Sequence, residues 1–206
     1  MEEKREAWGQ ALEKARKELP ERSPFVLGAM SGCDFRDGEF RIPFFNKRYR
    51  VSFPGGEVRE EEGEEPAIWL KILLLHYLLT ADGTPVADSW IAYRHLPGAA
   101  LSEGRFLNMA TKPLLGAFGQ DLEGFKRAAE ALGGVAMSRT GDAAYYFLAF
   151  PHVPVACLLY LGDEEVSPSV SILFDASAPH YLPTEDLSYL GSYLSRALRS
   201  HKQCSH

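Results

Sequence analysis

Cysteine is scarce in this chain: Cys33, Cys157 and Cys204 are all there are in 206 residues, and no two stand as a C-x-x-C pair. That excludes a locally written disulfide framework or four-thiolate zinc or iron–sulfur site, and it fits a reducing cytoplasm. Long apolar runs are missing too. The most apolar stretch, Pro66 to Thr80, is interrupted by Lys71 and His76 and falls short of the roughly 20 residues that a membrane span requires. The N-terminus, M-E-E-K-R-E-A-W, has no apolar signal core, so the sequence predicts a soluble cytoplasmic protein with no membrane partner. Basic charge is in deficit: 22 Lys and Arg stand against 28 Asp and Glu, a formal net charge of −6. The one basic cluster, Asn46-Lys47-Arg48-Tyr49-Arg50, alternates like a strand, which argues against nucleic acid as a partner.

Signatures of catalysis are equally thin. There is no G-x-S-x-G elbow, no G-K-[ST] among the glycines at 28 to 32, and no G-x-G-x-x-G after a predicted strand. Cys157 lies in a strand apolar on both faces, where a thiol behaves as a small hydrophobe. Cys33 is expected to be the more exposed thiol, with neighbouring Asp34 raising its pKa and not activating it.

What is present is ordinary globular composition, 46% hydrophobic and 24% charged, in a length that suits one domain over 1–206. Pro66 to Thr80 predicts a central helix apolar nearly all round, hence buried. Ahead of it, residues 2 to 19 place Trp8, Leu12, Ala15 and Leu19 at helical spacing, ended by Pro20. From Phe35 to Val58 the period changes to two: Phe40, Ile42 and Phe44, a turn at 45–47, then Tyr49, Val51 and Phe53 predict a β-hairpin. The acidic run Glu60 to Glu65 reads as a solvated linker that complements the positive end of the central helix.

Beyond the helix, Ala81-Asp82-Gly83-Thr84-Pro85 is turn chemistry, and short helices follow around Phe106, Leu114 and Phe125. The last third predicts strands at 143–150, 153–161 and 169–175, the first two covered on both sides. Thr184 opens a helix with Leu187, Leu190, Leu194 and Leu198 on one face, and residues 200–206 form a frayed tail. The fold class is therefore α+β: a mainly antiparallel sheet, extended in one version by the N-terminal hairpin, packed against a buried central helix and a C-terminal helix.

Candidate site residues each have a bland reading beside the sharp one. His76 sits inside the apolar helix, where a lone histidine is more often a satisfied core residue than a ligand. Arg94, beside His95 and before Pro97-Gly98, has the fork to hold a carboxylate or phosphate. It is equally suited to pairing with Asp175 or Glu185 at the sheet edge. Asp163 and Glu164 occupy a strand connection and Asp175 ends the next strand, so these carboxylates are candidates to gather at a sheet edge around a divalent metal. They lack the ladder of a calcium loop, and a solvated turn is the simpler account. His152 and His180 adjoin prolines at strand ends, and with Glu185 or Asp186 they are the elements of a mixed histidine and carboxylate site.

The segments I-L-L-L-H-Y-L-L-T-A-D-G-T-P (72–85), W-I-A-Y-R-H-L-P-G (90–98), A-L-G-G (131–134), F-P-H-V-P-V (150–155), G-D-E-E (162–165), I-L-F-D (172–175) and Y-L-P-T-E-D-L (181–187) together resemble an uncharacterised prokaryotic domain family, over residues 20 to 199. The resemblance implies anaerobic company, since some members carry an appended iron–sulfur segment that is missing here. An acidic residue is usual in that family at the position of His95, and Arg at that of His152. It draws attention to His76, Arg94, Asp163, Glu164, Asp175, Glu185 and Asp186 as a set and assigns none of them a role.

The leading functional expectation is a non-enzymatic module binding a cofactor or partner in anaerobic redox or one-carbon metabolism. Its sharpest version is a metal-bearing tetrapyrrole, haem or corrinoid, with His76, His95, His152 or His180 as axial ligand, Arg94 beside it, and an iron–sulfur or corrinoid protein as partner. A second expectation is a metal-dependent hydrolase or lyase using Asp163, Glu164, Asp175 and His180 around one cation. A third is a protein-interaction scaffold.

Overall fold

The computed structural model describes residues 2–203 except 62, 64 and 139, and the side chains of residues 5–202 with the same exceptions. Cys204, the end of the tail and two acids of the run 60–65 therefore lie outside the described residues. The fold is α+β, with two antiparallel sheets. Among the described residues no helix is long and apolar enough to cross a membrane. The chain forms two compact units: residues up to 85 with the short segments 150–152 and 180–183, and residues 86–149, 153–179 and 184 onward.

The first unit begins with α1 (Glu2–Glu18) and α2 (Pro24–Ser31). Strands β1 (Asp34–Arg36), β2 (Glu39–Phe44), β3 (Lys47–Ser52) and β4 (Val58–Glu60) follow, then α3 (Ile68–Thr80). The period of two is realised in β2 and β3: Phe40 pairs with Val51 and Ile42 with Tyr49, and all four are buried. Their neighbours on the other face are polar and mostly exposed, so one face of the sheet meets the core and one meets water. The hairpin does not extend a C-terminal sheet. Its outer edges are taken by β1 and β4, three-residue strands too short to announce themselves, giving the order β1-β2-β3-β4.

Helix α3 buries Leu70, Ile72, Leu73, Leu74, Leu75, Tyr77, Leu78 and Leu79, with α1 and α2 packed against it. Each fully buried leucine contributes about 1.5–3 kcal/mol, so this helix anchors the unit. It is not enclosed on every side. His76, half-buried, and Thr80, exposed, share one face of the helix, and half-buried Lys71 lies on another, where an apolar circumference was predicted. Glu65 pairs with Lys71, while Glu60 reaches Lys47 at 2.7 Å and Glu61 reaches Arg50 at 3.3 Å, so these acids of the linker fasten it to the neighbouring elements.

The second unit contains β5 (Trp90–Ala92), α4 (Glu103–Phe106), a π-helical turn at Leu107–Thr111, α5 (Lys112–Phe118) and α6 (Leu122–Ala131). Strands β6 (Val135–Ala136), β7 (Ala143–Phe150), β8 (Val153–Tyr160) and β9 (Ser169–Asp175) and helix α7 (Thr184–Gln203) complete it. The strand order is β5-β9-β8-β7-β6. Central β8 is buried on both faces up to Leu159, as its unbroken apolar run predicts. In β7, Leu148 is 55% exposed, so that strand is covered on one face only over this stretch. Asp121 caps α6 by accepting the Gly124 amide at 2.9 Å. Helix α7 buries its leucine stripe and runs past Ser200 to Gln203, where Lys202 pairs with Asp121 at 2.7 Å.

Candidate functional site

In the first unit the turn that ends α3 builds a carboxylate–imidazole pair. Asp82 Oδ1 accepts the Thr84 amide at 2.9 Å, closing an Asx turn around Gly83, whose φ of +79° suits glycine. Asp82 Oδ2 stands 2.8 Å from His180 Nδ1, and Thr84 Oγ1 lies 3.2 Å from the same nitrogen. Hydrogen bonds from the Thr84 hydroxyl, the His180 ring and the Thr84 amide hold the Asp82 carboxyl at about 2. A carboxylate can only accept, so Nδ1 carries the proton and the lone pair of the neutral ring is on Nε2. Among the described residues Nε2 has no hydrogen-bond partner, and the side chain is 51% exposed.

The residues around the pair are tied to one another. The Tyr181 hydroxyl donates to the Thr84 carbonyl, and its ring lies 5.9 Å from that of Tyr77 and 5.3 Å from that of His152. Tyr77 donates to the Ser31 carbonyl at 2.6 Å, and burial pushes its phenol far above the ordinary value. Gly32, at φ +67°, leaves room for the His152 ring: a Cβ there would stand 2.7 Å from Nε2. Cys33, predicted to be the more exposed thiol, is buried, and burial, more than Asp34, pushes it up to about 11. Segments 31–33, 77–84, 150–152 and 180–181 thus meet in one place. The Asp82-Gly83-Thr84 turn was legible in the sequence; its bond to a ring 98 residues along the chain was not, and Tyr77, Thr84 and Tyr181 were missed as site residues.

The candidates of the second unit are placed differently. Asp163 and Asp175 do not gather at one sheet edge. Asp163 lies in the loop before β9 and Asp175 at the far end of that seven-residue strand, which spans about 20 Å. Asp163 Oδ1 accepts the amides of Glu165 and Val166 at 2.9 and 2.8 Å, which lowers its pKa, and Glu164 is exposed. Asp175, a candidate for a carboxylate cluster at the sheet edge, is fully buried. Its Oδ1 accepts from the Ser177 hydroxyl at 2.6 Å and from the Ser177 and Ala87 amides at 2.9 Å, and Oδ2 accepts from Ser89 at 3.2 Å. Burial alone would raise its pKa; these four donors outweigh it, and the carboxyl stays below the ordinary value.

Arg94 is exposed and not a buried partner of Asp175 or Glu185: Tyr93 takes the inward position, and Arg94 Nε donates to His95 Nε2 at 3.2 Å. It lines a cavity of about 190 Å³ with Glu103, Phe106 and Ser171. Glu185 lines a separate open cavity of about 470 Å³ with Arg105 and Ser102, and Asp186 is buried. His76 is half-buried, on the face of α3 that also carries Thr80. Among the described residues no three of His, Cys, Asp and Glu stand close enough together to hold a metal ion.

No curated protein and no solved structure matches the chain. A family model does match, over residues 26–197, nearly the span on which the sequence segments converge: the chain belongs to the family described as a domain of unknown function, DUF3786.

Proposed function

We propose that the protein is a binding module whose exposed imidazole, His180, coordinates the metal of a tetrapyrrole, haem or corrinoid, offered at its surface. The observation that carries this reading is the Asp82–His180 pair. A carboxylate on Nδ1 fixes the tautomer and orients the ring, which is the support that ligating histidines receive in metal proteins. The donor set suits a metal that arrives with ligands of its own. A bare cation needs three or four protein donors, whereas a macrocycle supplies four and asks the protein for one axial imidazole. The bound group would supply redox or carbon-transfer chemistry. The chain's own residues would hold the axial nitrogen in place through Asp82, Thr84 and Tyr181.

The test is absorbance titration of the purified protein with haemin and with hydroxocobalamin. Wild type is expected to shift one of the two spectra at one equivalent. His180→Ala is expected to abolish the shift, and Asp82→Asn to weaken binding about 10-fold or more, the usual consequence of losing a ligand's outer partner. Unshifted spectra in both titrations, or shifts that survive His180→Ala, would sink the reading.

A further inference from the structure

The outer face of the four-stranded sheet carries an arrangement that the imidazole site does not use. Three arginines stand directly opposite one another across adjacent strands: Arg41 of β2 pairs in register with Arg50 of β3, and Arg50 with Arg59 of β4. Like charges facing one another across a ladder destabilise a sheet unless something neutralises them. For two of the three, something does. Arg50 reaches Glu61 at 3.3 Å and Glu39 at 3.7 Å, and Arg59 reaches Glu39 at 3.3 Å. At the sheet edge Arg36 lies 3.9 Å from Asp34. Arg41 has no ion pair among the described residues, nor has Arg48, which is opposite Pro43 and therefore diagonal to Arg41 on the same face. Diagonal neighbours are about 7–8 Å apart, close enough for two long side chains to converge on one group.

These two arginines line a cavity of about 410 Å³, together with Gly32, Asp34, Pro43 and Glu61. Of the two acids in the lining, Glu61 is engaged with Arg50, while Asp34, directly opposite Arg41 across β1 and β2, lies 3.9 Å from Arg36 and among the described residues makes no ion pair with Arg41, so the unpaired cations there are the two guanidinium groups. Pro43 offers no side-chain hydrogen bond and Gly32 no side chain at all, which leaves the polar recognition to Arg41 and Arg48.

We propose that this cavity binds a phosphoryl group, with Arg41 and Arg48 as its two guanidinium ligands. A single carboxylate brings one negative charge and two oxygens, which one guanidinium satisfies. A phosphate monoester brings a charge of about −1.5 to −2 and three terminal oxygens, enough for both forks. The volume admits a phosphorylated small molecule and not only the anion itself. The proposal is independent of the reading given to His180.

Calorimetric titration of the full chain with inorganic phosphate, pyrophosphate and succinate tests it, alongside the variants Arg41→Gln, Arg48→Gln and, as a paired control, Arg59→Gln. One-to-one binding of phosphate or pyrophosphate is expected, weakened about 10-fold or more by each of the first two substitutions and left near wild type by the third. All three variants are expected to keep the wild-type circular dichroism spectrum, because the side chains lie on the solvent face. Absence of binding to either phosphate at about 10 mM, a 1 M-scale free energy weaker than about 3 kcal/mol, would overturn the proposal. So would tighter binding of succinate than of phosphate, or equal losses in all three variants, which would mark a diffuse charge effect.

Discussion

At the scale of single residues, the separation between function and folding turns on where charge is buried and what meets it. Asp175 shows why sequence alone misplaces such groups. Its position after an alternating strand marks it as outward, yet four donors from Ala87, Ser89 and Ser177 draw it inside, and three of the four are backbone amides that no residue identity reveals. Arg94 is the reverse case. The sequence suits its fork to a carboxylate partner, Asp175 or Glu185, at the sheet edge, and the three-residue turn Tyr93–His95 puts it in water instead. Arg94→Met should therefore change stability by no more than about 0.5 kcal/mol, as exposed substitutions usually do. Thermal melts of the two proteins check this. A loss of about 3–5 kcal/mol, the cost of orphaning a buried charge, would show that the side chain is paired inside after all.

At the scale of elements, legibility followed periodicity. The hairpin over 39–52 and the leucine stripe of α7 were readable because each is decided by neighbours within a few residues. Helix α2, with Pro24 in its first turn, was not distinguished, since eight residues rich in small and apolar side chains carry no clear period. The division of the strands into two sheets was hidden for a related reason: β1 and β4, which close the hairpin's edges, are three residues each. The candidate site was legible in its parts and not in its assembly, because His180 finds Asp82 through tertiary structure and not through spacing.

One element of that assembly can be broken by a single methyl group. Gly32 ends α2 in the left-handed region at φ +67°, and an added Cβ would lie 2.7 Å from His152 Nε2 and 3.1 Å from Pro151 Cβ. Gly32→Ala meets both the backbone penalty and the contact, so a loss of about 1–3 kcal/mol is expected in urea unfolding. Stability equal to wild type would mean that the turn at 151–152 does not rest on this glycine.

For the whole molecule, the titrating groups set a stability plateau with two limbs. On the acid side the shifted carboxyls all move one way. The Ser52 hydroxyl lowers Glu57, Lys71 lowers Glu65, Lys202 lowers Asp121, and the amides of Glu165 and Val166 lower Asp163. Asp82 falls from 3.8 to about 2, and Asp175 is lowered although burial opposes it. A carboxyl whose folded pKa is depressed binds its proton more weakly in the native state than in the unfolded chain. Its stabilisation is present above the unfolded pKa and is lost as pH falls through the folded one. On the alkaline side burial raises the thiols and phenols, Cys33 from 9.0 to about 11, with Cys157, Tyr77, Tyr145 and Tyr181 shifted the same way. For these the native state holds the proton more tightly, so the contribution is complete below the unfolded pKa and disappears as pH rises toward the folded one. The urea midpoint, followed by circular dichroism, should thus be nearly flat from about pH 5 to 8 and fall on both sides. A midpoint at about pH 3 no lower than at neutrality would refute the acid limb, and one undiminished at about pH 10.5 the alkaline limb, which rests on burial of these thiols and phenols.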